Sequence, residues 1–341
     1  MKIKSLLLAG AALLSLTAGG TALSQNTNVH AQNADPQANV TRPAQKAKRP
    51  AVYSYRNGSA GQNDLIHHPH LHLKRAKAAV AMDGRTGQVV YQKNGDQRRL
   101  VASTGKLMTL YLTERKLARQ PGAWHHRVGV SNSIVRMGDN PNFDSYHFAR
   151  GRRYKISDIF KGALVGSDCD AATRLGQWVG GSNHHFIYMM NQQARLWHLN
   201  ATFTSASGLE NHDLAPYGFW SRGGYHSGNK VSARSLAVIT YHLIHDFPRI
   251  MRYSKIQNIT LAHRNNHNYD NILPGRRYYQ RDLHTDGLKT GYTGAAGYCF
   301  VGTGKRPGKD RLITVILHDP TEFSDTDDLM HFVYRYSRLY R

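Results

Sequence analysis

The chain has 341 residues with Lys+Arg 45 against Asp+Glu 22, a formal charge of +23, and 20 histidines that add positive charge as the pH falls toward about 6. Such a surface seeks polyanions; no nucleic-acid-binding motif accompanies it, so the expected partners are anionic wall polymers or an anionic membrane surface, and nucleic acid is excluded. Two cysteines, Cys169 and Cys299, are too few for a disulfide framework, although they leave a single bridge open.

Lys2 and Lys4 precede an apolar run over residues 6–16, too short to span a bilayer and right for a signal peptide. Val29-His30-Ala31 fits a small-x-small cleavage site, with Ala22-Leu23-Ser24 as a second candidate, so residues 1–31 are assigned to the signal and the protein is expected to be secreted. An uncleaved anchor is the alternative. Residues 32–75 are polar, basic and without apolar periodicity, the composition of a disordered linker. Within them His67-His68-Pro69-His70-Leu71-His72 offers clustered imidazoles, but no spaced carboxylate or thiol completes a metal site, and a solvated basic tract is expected.

The folded domain is assigned to residues 76–341. Short apolar runs at 78–82 and 88–91 flank Asp83-Gly84-Arg85-Thr86-Gly87 and predict a hairpin. A helix carrying Ser103 follows, running to about Arg119 before Pro121-Gly122 stops it. Further helices are predicted at 156–165, 170–179, 184–198 and 232–245, then strands at 298–303 and 311–317. A last helix over 326–339 is acidic at its start and basic at its end, as the helix dipole prefers. Strands at both ends with helices between predict an α+β fold in which the first and last strands meet in one sheet and a helical lobe is inserted.

Three segments carry chemistry. In Ser103-Thr104-Gly105-Lys106 a helix would put the lysine on the serine's face, where it can take the hydroxyl proton if burial and nearby positive charge lower its pKa. Alone the pattern is weak, since Ser227-Gly228-Asn229-Lys230 also fits it. In Lys289-Thr290-Gly291-Tyr292 a cation and a hydroxyl suit a substrate carboxylate, and Gly291 would leave room for a substrate backbone beside the strand edge. Ser167-Asp168-Cys169 supplies a second hydroxyl, or else an ordinary helix cap.

Ser-x-x-Lys, Ser-x-Asn (here Ser-x-Cys) and Lys-Thr-Gly, in that order, resemble the triple motif of penicillin-recognising serine enzymes. Asp83-Gly84-Arg85-Thr86-Gly87-Gln88-Val89-Val90-Tyr91, Ser207-Gly208-Leu209 and the stretch from Asp286 through Cys299 narrow the likeness, over about residues 76–320, to the D-alanyl-D-alanine carboxypeptidase family. The resemblance implies a β-lactamase/transpeptidase-like fold and an acyl-enzyme on Ser103, with Lys106 as general base and Ser167 as proton relay. It implies that Lys289 and Thr290 hold the substrate's terminal carboxylate, that Lys289 keeps Lys106 from staying protonated, and that the Ser103 and Tyr292 N–H groups form the oxyanion hole. The substrate would be a peptidoglycan stem peptide, β-lactams would be covalent inhibitors, and no metal or cofactor is required.

Cys169 stands where the family has Asn, and a thiol donates only weakly where an amide both donates and accepts. The expectation is weakened substrate orientation or altered specificity. The thiol would be oxidisable if it were exposed with a lowered pKa, and otherwise merely packs. Ser227-Gly228-Asn229 matches Ser-x-Asn fully, but Asp170-Ala171-Ala172 continues the family pattern after Ser167, which lies 64 residues from Ser103 against 124 for Ser227. Asn229→Ala is accordingly expected to change turnover little. The alternatives are a serine β-lactamase, for which Glu210 is the loop carboxylate, and a wall-binding homologue that has lost turnover.

Overall fold

The computed structural model describes residues 71–340; the signal peptide, most of the linker and His67-His68-Pro69-His70 lie outside the described residues. Packing begins slightly ahead of the assigned start at Ala76, because Leu73 is already buried against the C-terminal helix.

Five antiparallel strands form the central sheet: β1 (Ala78–Asp83), β2 (Val89–Lys93), β3 (Thr285–Thr293), β4 (Gly297–Gly304) and β5 (Leu312–Leu317), in the order β3-β4-β5-β1-β2. The first and last strands of the chain do meet, in the register Ala78↔Leu317 and Val80↔Val315. Side chains alternate between the faces of a strand, and the sequence uses both. Ala78, Val80 and Met82 of β1 and Ile313, Val315 and Leu317 of β5 enter the larger core with the helical lobe. Ala79, Ala81, Leu312 and Ile316 enter a second core with Leu329, Met330 and Val333. Being covered on both faces is why these strands read as unbroken apolar runs. The hairpin turn is closed by Asp83, whose Oδ1 accepts from the Thr86 N–H at 2.6 Å and the Thr86 hydroxyl at 2.7 Å. Its other oxygen accepts from the Tyr340 hydroxyl at 2.7 Å, which pins the chain's end to its first hairpin.

The inserted lobe contains α1 (Lys106–Arg119), α2 (Cys169–Gly180), α3 (Asn183–Leu196) and α4 (Ala233–Asp246). The C-terminal helix α5 (Glu322–Tyr336) starts four residues before its predicted position. The Asp319 side chain accepts from the Thr321 N–H and hydroxyl, and Glu322 and Asp325 in the first turn suit the helix dipole, so the helix can begin earlier than its apolar pattern suggests. Composition gave no sign of the strand pair Asn258–Leu261 and Arg264–His267, which is polar throughout apart from Ile259 and Leu261. Both cysteines are free and buried, which closes the disulfide possibility.

Candidate active site

Ser103 does not open the α-helix itself. It sits in a 3₁₀ turn, Ala102–Gly105, that feeds directly into α1. The three-residue spacing still brings the pair together: Lys106 Nζ lies 2.7 Å from Ser103 Oγ, with Lys106 fully buried and Ser103 half-buried. The turn is held from several sides. Ala102 takes the left-handed conformation (φ 45), and the Thr104 N–H and hydroxyl both donate to the Val101 carbonyl. The Val101 N–H donates to the Asn229 carbonyl. Gly208, at φ 90, packs so closely that a Cβ there would lie 2.1 Å from the Ala102 carbonyl oxygen.

Gly291 lines the cleft and also packs against the nucleophile turn. A Cβ on it would meet the Thr104 nitrogen at 2.8 Å and the Ser103 nitrogen at 3.0 Å. The missing side chain therefore makes room for the turn that carries the nucleophile, before any substrate enters. Ser-Gly-Leu and Lys-Thr-Gly, far apart in sequence, clamp the same few atoms.

A cleft of about 460 Å³ opens above this turn, lined by Ser103, Ser167, Thr290, Gly291 and Tyr292 among others. Five of the eight residues singled out from sequence thus share one cavity. The other three, Lys106, Cys169 and Lys289, are buried beside it. Ser167 follows a π-helical turn, Gly162–Gly166, and is itself left-handed at φ 61, a strained arrangement for a residue with a side chain. It is not a helix cap; α2 begins two residues later at Cys169.

Two lysines crowd the floor of the site. Lys289 donates to the Thr290 carbonyl at 3.1 Å and has its pKa driven down to about 7, first by burial and second by the neighbouring charge of Lys106. Cys169 Sγ stands 3.5 Å from Lys106 Nζ. Like Lys106 and Lys289 it lies behind the residues that line the cleft, and its sulfur also approaches the Ser167 carbonyl at 3.9 Å. The oxidation reading fails on both of its conditions, because the thiol is 4% exposed and burial pushes its pKa up despite the attraction of Lys106.

Asn229 has a structural task that its sequence context does not announce. Its side-chain oxygen accepts from the Thr204 N–H at 2.8 Å and the Ser205 N–H at 3.0 Å, and its amide donates to the Ser205 carbonyl at 3.0 Å, all buried. It is a bracket between the Ser207-Gly208-Leu209 loop and the nucleophile turn rather than the third corner of the site. Asn229→Ala would strand three buried backbone groups, so we expect a loss of about 2–4 kcal/mol, read as a lowered denaturation midpoint, a stability effect separate from the small change in turnover expected from sequence.

Other participants were not singled out as site residues. The Asp170 carboxylate accepts from the Tyr146 N–H at 2.8 Å and the His147 N–H at 3.0 Å, tying the loop before residue 150 to α2; burial outweighs these bonds and raises its pKa to about 6. In that loop Asp144 and Tyr269 face each other at the cleft, the Tyr269 hydroxyl donating to Asp144 Oδ1 at 3.2 Å. Glu210 does not line the cleft; it accepts from the Thr293 hydroxyl at 2.8 Å.

With this geometry in place, comparison with known proteins is informative. Residues 66–321 match the family described as D-alanyl-D-alanine carboxypeptidase. The chain is 31% identical over 278 residues to D-alanyl-D-alanine carboxypeptidase DacD of Escherichia coli (strain K12), an alignment covering 78% of this chain and 64% of that protein, so it spans under two thirds of the relative's length. Among solved structures it is similar to a peptidoglycan synthesis regulatory factor from Streptococcus pneumoniae, with TM-score 0.70 and 29% identity over 76% of this chain and 72% of that one. It also resembles penicillin-binding protein D2 from Listeria monocytogenes in its cefotaxime-bound form, with TM-score 0.64 and 27% identity over 78% and 99% of the two chains.

Proposed function

Because the chain belongs to the D-alanyl-D-alanine carboxypeptidase family, we propose that it removes the terminal D-alanine from peptidoglycan stem peptides through an acyl-enzyme on Ser103. The observation that carries this reading is the 2.7 Å contact between Ser103 Oγ and a fully buried lysine at the floor of a cleft bordered by the edge strand β3.

In this reading Ser103 attacks the carbonyl between the two D-alanines while Lys106 takes its proton. The Ser103 and Tyr292 N–H groups stabilise the oxyanion, a contribution worth roughly a hundredfold or more in other hydrolases. Ser167, across the same cleft, passes a proton to the departing amine. Lys289 and Thr290 hold the terminal carboxylate, and water then releases the shortened peptide. Cys169 substitutes a sulfur for an amide beside Lys106, which leaves the lysine without a strong hydrogen-bonding neighbour there.

β-Lactams would acylate the same serine, a proposal supported by the antibiotic-bound relative from Listeria monocytogenes. The serine β-lactamase alternative is weaker, because Glu210 is engaged with Thr293 instead of facing the cleft where a deacylating water would sit. Fluorescent penicillin labelling at Ser103, together with D-alanine release from a muramyl pentapeptide set against β-lactam hydrolysis, tests the choice. A protein that does not label is not an acylating enzyme; one that hydrolyses the β-lactam faster than the peptide is a β-lactamase.

We place the protein outside the cytoplasm, in the cell wall, on the strength of its amino-terminal sequence and substrate. Among the described residues no helix is long and apolar enough to cross a membrane. The +23 charge would hold it on anionic wall polymers or an anionic membrane surface, so co-sedimentation with such polymers should fall steeply between about 0.05 and 0.5 M salt as screening shortens.

A further inference from the structure

The cleft above Ser103 contains two carboxylates, Asp144 and Glu322, in a chain where cations outnumber acids two to one. Glu322 has a structural role, since it lies in the first turn of α5 where the dipole favours an acid. Asp144 has none of that kind. Its main-chain carbonyl accepts from the Cys169 N–H at 2.8 Å, which fixes its position against the Ser-x-Cys segment, while its exposed carboxylate takes a hydrogen bond from the Tyr269 hydroxyl. Phe143 and Tyr269 line the cavity beside it. The tether from Asp170 to the Tyr146 and His147 N–H groups holds the loop rigidly from behind.

A carboxylate anchored through its backbone and open to a cleft whose lining also includes Phe143 and Tyr269 suits an organic ammonium, which charge attracts and aromatic neighbours can support. We propose that Asp144, flanked by Tyr269 and Phe143, receives the cationic side chain of the diamino acid that precedes the two D-alanines in the stem peptide. This rests on the carboxypeptidase reading above and deepens it by naming what the site selects. Asp144 would then be a specificity determinant: it acts on the donor side of the scissile bond, while Lys289 and Thr290 act on the leaving side.

The test compares kcat/KM for D-alanine release from a lysine-containing pentapeptide with that from its Nε-acetyl-lysine analogue, which keeps the shape and loses the charge. The unsubstituted protein should prefer the charged peptide about tenfold, the size of one partly solvated charge-assisted contact. D144N should bring the ratio to about one, D144K should favour an Nε-succinyl peptide, and E322Q should keep the original ratio. An Asp144 that only supported the charge of Lys289 would weaken both peptides alike, because both carry the same terminal carboxylate. A ratio near one in the unsubstituted protein, or a preference that survives in D144N or vanishes in E322Q, overturns the proposal. Release from neither peptide would instead overturn the carboxypeptidase reading, and this inference with it.

Discussion

Ser103→Ala is expected to abolish penicillin labelling and to lower D-alanine release by roughly 10⁴-fold or more, because in the proposed mechanism its hydroxyl forms the acyl bond. The substitution should leave the fold intact. Ser103 Oγ has Lys106 as its bonded partner, and the backbone turn around it is secured by Val101, Thr104 and Asn229 through bonds that do not use the hydroxyl. A denaturation midpoint within a few degrees of the parent, combined with lost activity, is the expected pattern. Labelling or release that persists in this variant would show that a different serine is acylated, and Ser167, in the same cleft, would be the one to examine next.

Lys289→Met is expected to separate stability from function. If Lys289 holds the substrate carboxylate as proposed, turnover should fall by roughly two to three orders of magnitude, yet the protein should become more stable at low pH. The folded-state pKa of Lys289 is depressed to about 7 from 10.5, chiefly by burial. Between these values the unfolded chain binds more protons than the folded one, so stability rises with pH across that interval. The cost of burying the lysine is therefore complete below about pH 7 and disappears above about pH 10.5. Methionine has nearly the same shape and no charge, so it should stabilise by roughly 2–4 kcal/mol at pH 6 and by little at pH 10. Chemical denaturation at the two pH values reads the difference. A variant that is less stable than the parent at pH 6 would mean that attraction from Asp144 and Asp270 outweighs burial. The same pKa predicts that kcat/KM of the parent for a peptide bearing a terminal carboxylate declines above about pH 7, since kcat/KM follows the free enzyme.

Both predictions concern a lysine and a serine that are visible in the sequence, but their reasons differ in how far they can be read there. Ser103 and Lys106 are three residues apart, and any helical turn brings them together. The depressed pKa of Lys289 depends on its burial and on Lys106, 183 residues away in the chain, and neither is written into Lys-Thr-Gly. The packing of Asn229 and Gly291 is hidden for the same reason: each meets backbone atoms in or beside the nucleophile turn that reach it only after folding. Cys169 was legible as an odd residue at a key position, but whether it faced substrate or core depended on which way α2 presents it.

The amino-acid sequence by itself determined the hairpin around Asp83, the long helices of the lobe, the meeting of first and last strands and the pairing of Ser103 with Lys106, because these follow from residue type, element order and short-range periodicity. Only the tertiary structure decided which glycine faces which backbone, that Asn229 is a bracket, that burial pulls the Lys289 pKa down to about 7, and that Asp144 and Tyr269 share a wall of the cleft. The physical reason is range. Helix and turn preferences act over a few residues, while burial, close approach and electrostatic repulsion act between groups that the chain's order keeps far apart and that only packing brings together.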